Sequence, residues 1–344
     1  MKKNLILLFI LCTVVLTGYF GYSKKEDGRN QFMELEQTGE ERQRQVAHYE
    51  MDRAVEKSKN NTVIAQPAEI KILDPNTSTV IKTIRPTELG YEEDFTVYVN
   101  EIEKIVKEIA RGSAPATGYD QKMVLDKEGN DGKIIKGSPM VILKESELVE
   151  KILAASNNSA TIALPLYVTE SNYSAANIKN LDNIVIASYT TYFSSAHAGR
   201  SKNIELSATA IHNIIVGSGD YFSFNTNVGP RDEASGYQPA HEIVNKKLVM
   251  GIGGGICQTS STLFNAIDQL HVNTLERHHH SIDIGYVPKG RDATVSYGTL
   301  DYRFQNISGV PFIIKSIYRN GSLTVELRTS EEYMRLLKKN IQTN

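Results

Sequence analysis

Cysteine is scarce in this 344-residue chain: Cys12 and Cys257 are too few for a disulfide framework. Surplus charge is missing too. Thirty-eight Lys and Arg stand against 40 Asp and Glu, for a net charge of -2, so there is no basic field of the kind that nucleic acid requires. Ten prolines and 24 glycines without a period exclude collagen-like and low-complexity sequence. No second apolar run after residue 23 is long enough to span a bilayer. What is present is the balance of a globular protein, 40% hydrophobic and 23% charged, with length for about two domains.

At the N-terminus, Lys2 and Lys3 precede an uncharged, mostly apolar run over residues 4–23, closed by Lys24, Lys25, Glu26 and Asp27. Residues 1–23 read as an export signal or membrane anchor. The run is close to the ~20 residues that cross a bilayer, longer than the apolar part of a cleavable signal, which favours an uncleaved single-pass anchor. The C-terminal part is then extracytoplasmic at the cell membrane; cleavage after Ser23, and hence secretion, is the alternative. Residues 24–60 are charge-dense without a sustained heptad and read as a solvated stalk.

Residues 61–183 have α+β patterning. Residues 62–64 and 69–72 read as strands, and Val99, Ile102, Ile105, Val106 and Ile109 keep helical spacing up to Gly112. Ser146 is placed to cap a helix carrying Leu148, Val149, Ile152 and Leu153, and residues 160–168 read as one strand. The region holds no histidine and no cysteine, so binding or scaffolding is its natural role.

Residues 184–330 form a second α+β unit, followed by a charged tail over 331–344. A strand over 185–193 precedes a helix in which Ile204, Ala208, Ile211 and Ile215 recur at helical offsets. Four glycines, Gly251, Gly253, Gly254 and Gly255, then lead into Cys257 and the helical face of Leu263, Phe264, Ile267 and Leu270. This places Cys257 at a helix N-terminus, where free N–H groups and the positive end of the dipole favour a thiolate. The same N–H groups offer an oxyanion hole, for which Gly254 and Gly255 are the candidates. With Cys12 in the membrane or removed, Cys257 is a lone thiol outside the cell, either a nucleophile or a packed small hydrophobe, or the site of an intermolecular disulfide. A phosphate loop is disfavoured because no Gly-Lys-Ser or Gly-Lys-Thr follows.

A nucleophile needs a base, and the histidines nearby in sequence are His271, His278, His279 and His280. The alternation over 281–286 reads as a strand, with His280 on the face of Ile282, Ile284 and Tyr286. His280 is the candidate base, Asp292 the group that orients it. A core histidine or a metal ligand remain the alternative roles for His280. No HExxH spacing and no second cysteine support a zinc site, and no metal or other cofactor is expected. Beyond it, Leu300, Tyr302 and Phe304 alternate with polar residues, and residues 310–318 and 322–327 read as a hairpin across Asn320-Gly321. The fold class is α+β: a cysteine-headed helix packed on an antiparallel sheet, preceded by a smaller α+β domain.

From about residue 188 to 314 the motifs resemble the VanW-domain family, named for an accessory protein of vancomycin-resistance clusters. The residues that carry this are Arg200 with Asn203, Gly219 through Asn225, Val228 through Arg231, Gly253 through Gln258, Glu276-Arg277, His280-Ser281, Tyr286-Val287-Pro288 and Asp292 through Val295. Ser218 stands where the family usually has proline. Residues 62–182 are similar to the peptidoglycan-binding domain often fused ahead of VanW. The resemblance implies a Gram-positive cell-surface protein whose partners are peptidoglycan stem peptides. The activity it implies is cysteine-dependent L,D-transpeptidation, a thioester on Cys257 giving 3-3 cross-links. Arg231 and Arg277, within these motifs, are the expected substrate-binding residues. Resolution by water would make the site a carboxypeptidase or endopeptidase, and a non-catalytic wall-binding protein with a packed Cys257 is the rival from a different class.

Overall fold

A computed structural model describes residues 67–343 apart from 114–115, 174–177, 179 and 245–246. The anchor at 1–23, the stalk at 24–60 and the strand expected at 62–64 lie outside the described residues. No helix among the described residues is long and apolar enough to cross a membrane.

The first layer grows from the strand Ile70–Leu73, which buries Ile70 and Ile72 on one face. It pairs antiparallel with Val80–Ile84 and parallel with Ala160–Ala163. The helix Phe95–Arg111 starts where the Asp94 side chain accepts the N–H groups of Thr96 and Val97, at 2.9 and 3.1 Å. Tyr98, Val99, Ile102 and Val106 form its buried stripe, and Gly112, with φ of 81°, ends it as the spacing predicted.

Two local expectations fail here. Ser146 lies inside the first turn of the helix Glu145–Ala155, which begins after Lys144 without a side-chain cap. The run over 160–168 is two strands, because Pro165 has no N–H to continue a ladder. The second piece, Leu166–Thr169, turns away to pair with Met140–Leu143.

The larger sheet has six strands in the order Ile184–Tyr192, Ser322–Thr329, Phe312–Arg319, Ile214–Val216, Lys127–Glu128 and Ile134–Ile135. Its last two strands come from the region before residue 183. Lys127 is opposite Ile214, and Met123 and Leu125 are buried in the same core as Ile211, Phe222 and Leu263. The sheet therefore crosses the boundary placed at 183/184. The hairpin across Asn320-Gly321 is present, with Gly321 at φ 87°.

The helix Ala198–Ile211 buries Ile204, Ala208 and Ile211 but stops short of Ile215. Asn213 takes a left-handed φ of 65°, and Ile215 joins the strand Ile214–Val216 instead. Tyr221–Ser223, Arg303–Asn306 and Val272–Glu276 make a three-stranded sheet in which Phe222 stacks on Phe304 at 4.9 Å. Residues 331–343, expected as a tail, form a helix that buries Leu337.

The helix Ile256–Ile267 lies against Ile184–Tyr192 and Ser322–Thr329, so a cysteine-headed helix packs on an antiparallel sheet. The strand expected over 281–286 is absent. Its residues form a loop, tied back where the Thr294 N–H donates to the His278 carbonyl at 2.8 Å.

Candidate active site

The hairpin strand Lys247–Ile252 runs into Gly253, Gly254 and Gly255, and the helix Ile256–Ile267 starts immediately after. Gly255 has φ of 111°, a left-handed value that a side chain resists. At Gly254 the restriction is space: a Cβ would lie 2.5 Å from the His241 carbonyl oxygen and 2.7 Å from that of Ala240. Asn203, fully buried, fixes this loop. Its Nδ2 donates to the carbonyls of Gly254 (3.0 Å) and Gln238 (2.9 Å), and its Oδ1 accepts the Gln238 N–H at 2.7 Å. The helix is held by Gln258, also buried, whose Oε1 accepts from Arg200 Nη2 (2.7 Å) while Nε2 donates to Thr191 Oγ1 and the Tyr192 carbonyl, both at 3.0 Å.

The polar residues of that helix secure a second loop. Ser260 donates to the Ala293 carbonyl (2.6 Å), Ser261 accepts the Ala293 N–H (2.9 Å), and Asn265 donates to the Arg291 carbonyl (2.7 Å). Asp292 is thereby fixed between two anchored neighbours. Its Oδ2 accepts the His280 N–H at 2.6 Å and lies 2.8 Å from His280 Nδ1, and its Oδ1 is 2.7 Å from His279 Nδ1. Burial alone would raise the Asp292 pKa, but hydrogen bonds from His279 and His280 together outweigh it and hold the carboxyl down at about 2. Asp292 is a fixed anion.

These loops enclose a cavity of about 740 Å3 whose lining includes Cys257, His280, Gly254, Gly255, Arg231 and Glu242. Cys257 is partly exposed, and its Sγ lies 3.5 Å from the Val295 carbonyl oxygen. Burial pushes the thiol pKa up, while the backbone of Val295 and the charges of Arg231 and Arg200 pull the other way. Cys257 stands in the first turn of the helix, as the glycine run implied, and burial acts against the thiolate expected there. The N–H groups of Gly254 and Gly255 have no acceptor among the described residues, as an oxyanion hole requires.

The sequence-predicted residues are divided by the fold. Cys257, His280, Gly254, Gly255 and Arg231 share the cavity, with Asp292 behind His280. Arg277 is elsewhere: it lies over the Phe264 ring at 4.2 Å, and Nη1 donates to the carbonyls of Gly290 (3.2 Å) and Asp292 (3.3 Å). It supports the histidine loop and does not line the cavity. Residues that the sequence reading gave no role are also present: Arg200, Gln258, Glu242 and Tyr286 line the cavity, and Arg200 lies over the Tyr286 ring at 5.8 Å. Arg200 and Asn203, one turn apart on a helix, carried a positional signal, whereas Glu242 carried none. Among the described residues, no group of three or more His, Cys, Asp or Glu is arranged to hold a metal ion.

Comparison with known proteins shows what the chain is similar to. Residues 199–328 match the family described as VanW like protein. The uncharacterized protein YoaR of Bacillus subtilis (strain 168) is 34% identical over 291 residues, which span 80% of this chain and 91% of that protein. The Vancomycin B-type resistance protein VanW of Enterococcus faecalis (strain ATCC 700802 / V583) is 30% identical over 109 residues, 30% of this chain and 40% of its own. No solved structure matches.

Proposed function

Because this chain belongs to the VanW-like family, we propose that it is a cell-wall enzyme, a cysteine-dependent L,D-transpeptidase acting on peptidoglycan stem peptides. The observation that carries the reading is the meeting of Cys257 and His280 in one cavity, with the His280 ring held by Asp292. Nδ1 is committed to Asp292, so Nε2 is the nitrogen left to take the thiol proton. Sγ then attacks the carbonyl carbon of the amide joining the third and fourth stem residues. The N–H groups of Gly254 and Gly255 receive the oxyanion, and the His280 proton passes to the departing amine as the C–N bond breaks. An amine of another stem resolves the thioester to a 3-3 cross-link; water in its place gives a carboxypeptidase.

Residues 61–183 would hold the polymer, and residues 1–23 would keep the chain at the membrane with the remainder outside. Incubation of the protein with disaccharide-tetrapeptide tests the reading. It should release D-alanine, form 3-3 dimers and leave an acyl adduct on Cys257, all abolished in Cys257→Ala. Burial, which works against a Cys257 thiolate, favours a second reading, a non-catalytic wall-binding protein. Absence of product and adduct with every stem tried, alongside retention on purified walls, would establish that one.

A further inference from the structure

We propose that Arg231 is the receptor for the free α-carboxylate of the last stem residue, and that the Tyr297 ring covers it until that carboxylate arrives. The proposal rests on the transpeptidase reading for the identity of the peptide, though its binding arm does not depend on turnover.

Among the described residues, Arg231 is a cation without a hydrogen-bond partner. Nε, Nη1 and Nη2 are all buried, and none has a hydrogen bond. The guanidinium lies between two aromatic rings, 5.7 Å from the Phe224 centroid and 5.5 Å from that of Tyr297. Aromatic faces attract a cation but accept none of its five N–H groups in the plane of the fork. Asp301 acts on Arg231 through space, yet its oxygens already accept from Ser223 and from the N–H groups of Asn225 and Tyr302. Arg200, the other arginine of the cavity, differs in being bonded to Gln258.

An unpaired buried charge is costly, and a guanidinium fork matches a carboxylate with two parallel hydrogen bonds. The place of Arg231 fits that use. A Cβ on Gly253 would lie 3.3 Å from Arg231 Cβ, so the arginine stem runs against the glycine loop beside the proposed oxyanion donors. Tyr297 is 53% exposed and sits in the turn closed by the Ser296 N–H on the Leu300 carbonyl at 2.8 Å. Ser296, Tyr297, Thr299 and Leu300 all line the cavity, so when the ring swings outward the guanidinium opens into the space that holds Cys257. The carboxylate then replaces the ring as the partner of Arg231. A substrate so held presents the amide one residue before its C-terminus. As the C–S bond forms and the C–N bond breaks, the thiol proton leaves on the amine and a free amino acid departs.

Binding to the full-length Cys257→Ala protein tests this without turnover. Calorimetric titration is made with disaccharide-tetrapeptide carrying a C-terminal carboxylate and with its C-terminal carboxamide. The acid should bind about 10-fold or more tightly than the amide. Adding Arg231→Gln should reduce acid binding to the level of the amide, and Arg231→Lys should keep part of the preference. Without peptide, Arg231→Met should raise Tm, because it removes an uncompensated buried charge; a purely structural arginine would lower it. Equal binding of acid and amide, a preference that survives Arg231→Gln, or no binding of either peptide would overturn the proposal. A clear acid preference in Cys257→Ala beside a wild-type protein that never turns over would sink the transpeptidase reading and leave the carboxylate site; wild-type turnover without that preference would do the reverse.

Discussion

Asp292 meets His280 twice through one oxygen: Oδ2 accepts the His280 backbone N–H at 2.6 Å and lies 2.8 Å from ring Nδ1. The backbone contact fixes where the residue sits, and the ring contact fixes which nitrogen faces the cavity. A single carboxylate thus sets both the position and the tautomer of the base. Loss of that carboxylate should cost more than one hydrogen bond.

Asp292→Asn keeps the shape but offers one acceptor oxygen where three N–H···O contacts now converge on two. We expect kcat/KM for D-alanine release to fall about 100-fold or more, with the ring no longer fixed in one tautomer. Asp292 also titrates low in the folded chain, at about 2 against its usual 3.8. Its contribution to stability is present above the unfolded value and is lost as pH falls from about 4 through 2. It amounts to roughly 2 kcal/mol. Denaturant melts of wild type and Asp292→Asn should converge across that window; curves that stay parallel would remove the anion from the account.

Since burial pushes the Cys257 thiol up, His280 is needed to make the nucleophile as well as to protonate the leaving group. His280→Ala should therefore approach Cys257→Ala in its loss of activity. Alkylation of Cys257 by iodoacetamide in the free protein should be slow at pH 6 and climb with pH into the alkaline range. A fast, pH-independent alkylation near neutrality would mean a resting thiolate.

At Gly254, a methyl group would meet the carbonyl oxygens of Ala240 and His241, both of them backbone. Gly254→Ala should destabilise the protein by about 2 kcal/mol or more and abolish D-alanine release together with it. The same substitution at Gly290, with φ of 74° and nothing within 4 Å of the added atom, tests backbone strain without a clash and should cost less. Denaturation midpoints of the two variants give the comparison.

Removing residues 67–183 would take Met123 and Leu125 out of the larger core and unpair the strand Ile214–Val216 from Lys127. It would also take Glu128 from Lys315, an ion pair at 3.2 Å. A chain starting at residue 184 should be markedly less stable than one starting at residue 120, which keeps these contacts. Equal melting temperatures for the two truncations would show that the inserted strands contribute little.

Much of this site depends on local order in the chain, and local order is legible. Glycines before a helical apolar stripe placed Cys257 at a helix start, and Asn320-Gly321 between alternating runs marked the hairpin, because both signals act over a few residues. His280 and Asp292 were likewise legible as residue types, one following the cysteine helix and one able to orient a ring. Their joining was decided only by the tertiary structure: Ser260, Ser261 and Asn265 on the cysteine helix hold the 291–293 backbone, and so bring Asp292 to His280. That Cys257 lines a cavity was decided the same way, since a helix start can be read from sequence while the walls of a cavity cannot. So was the separation of Arg231 from Arg277, two arginines alike in the chain. One is buried between Phe224 and Tyr297 without a hydrogen bond among the described residues, and the other bonds the backbone of the loop that carries Asp292, because packing alone determined which of them faces the cavity.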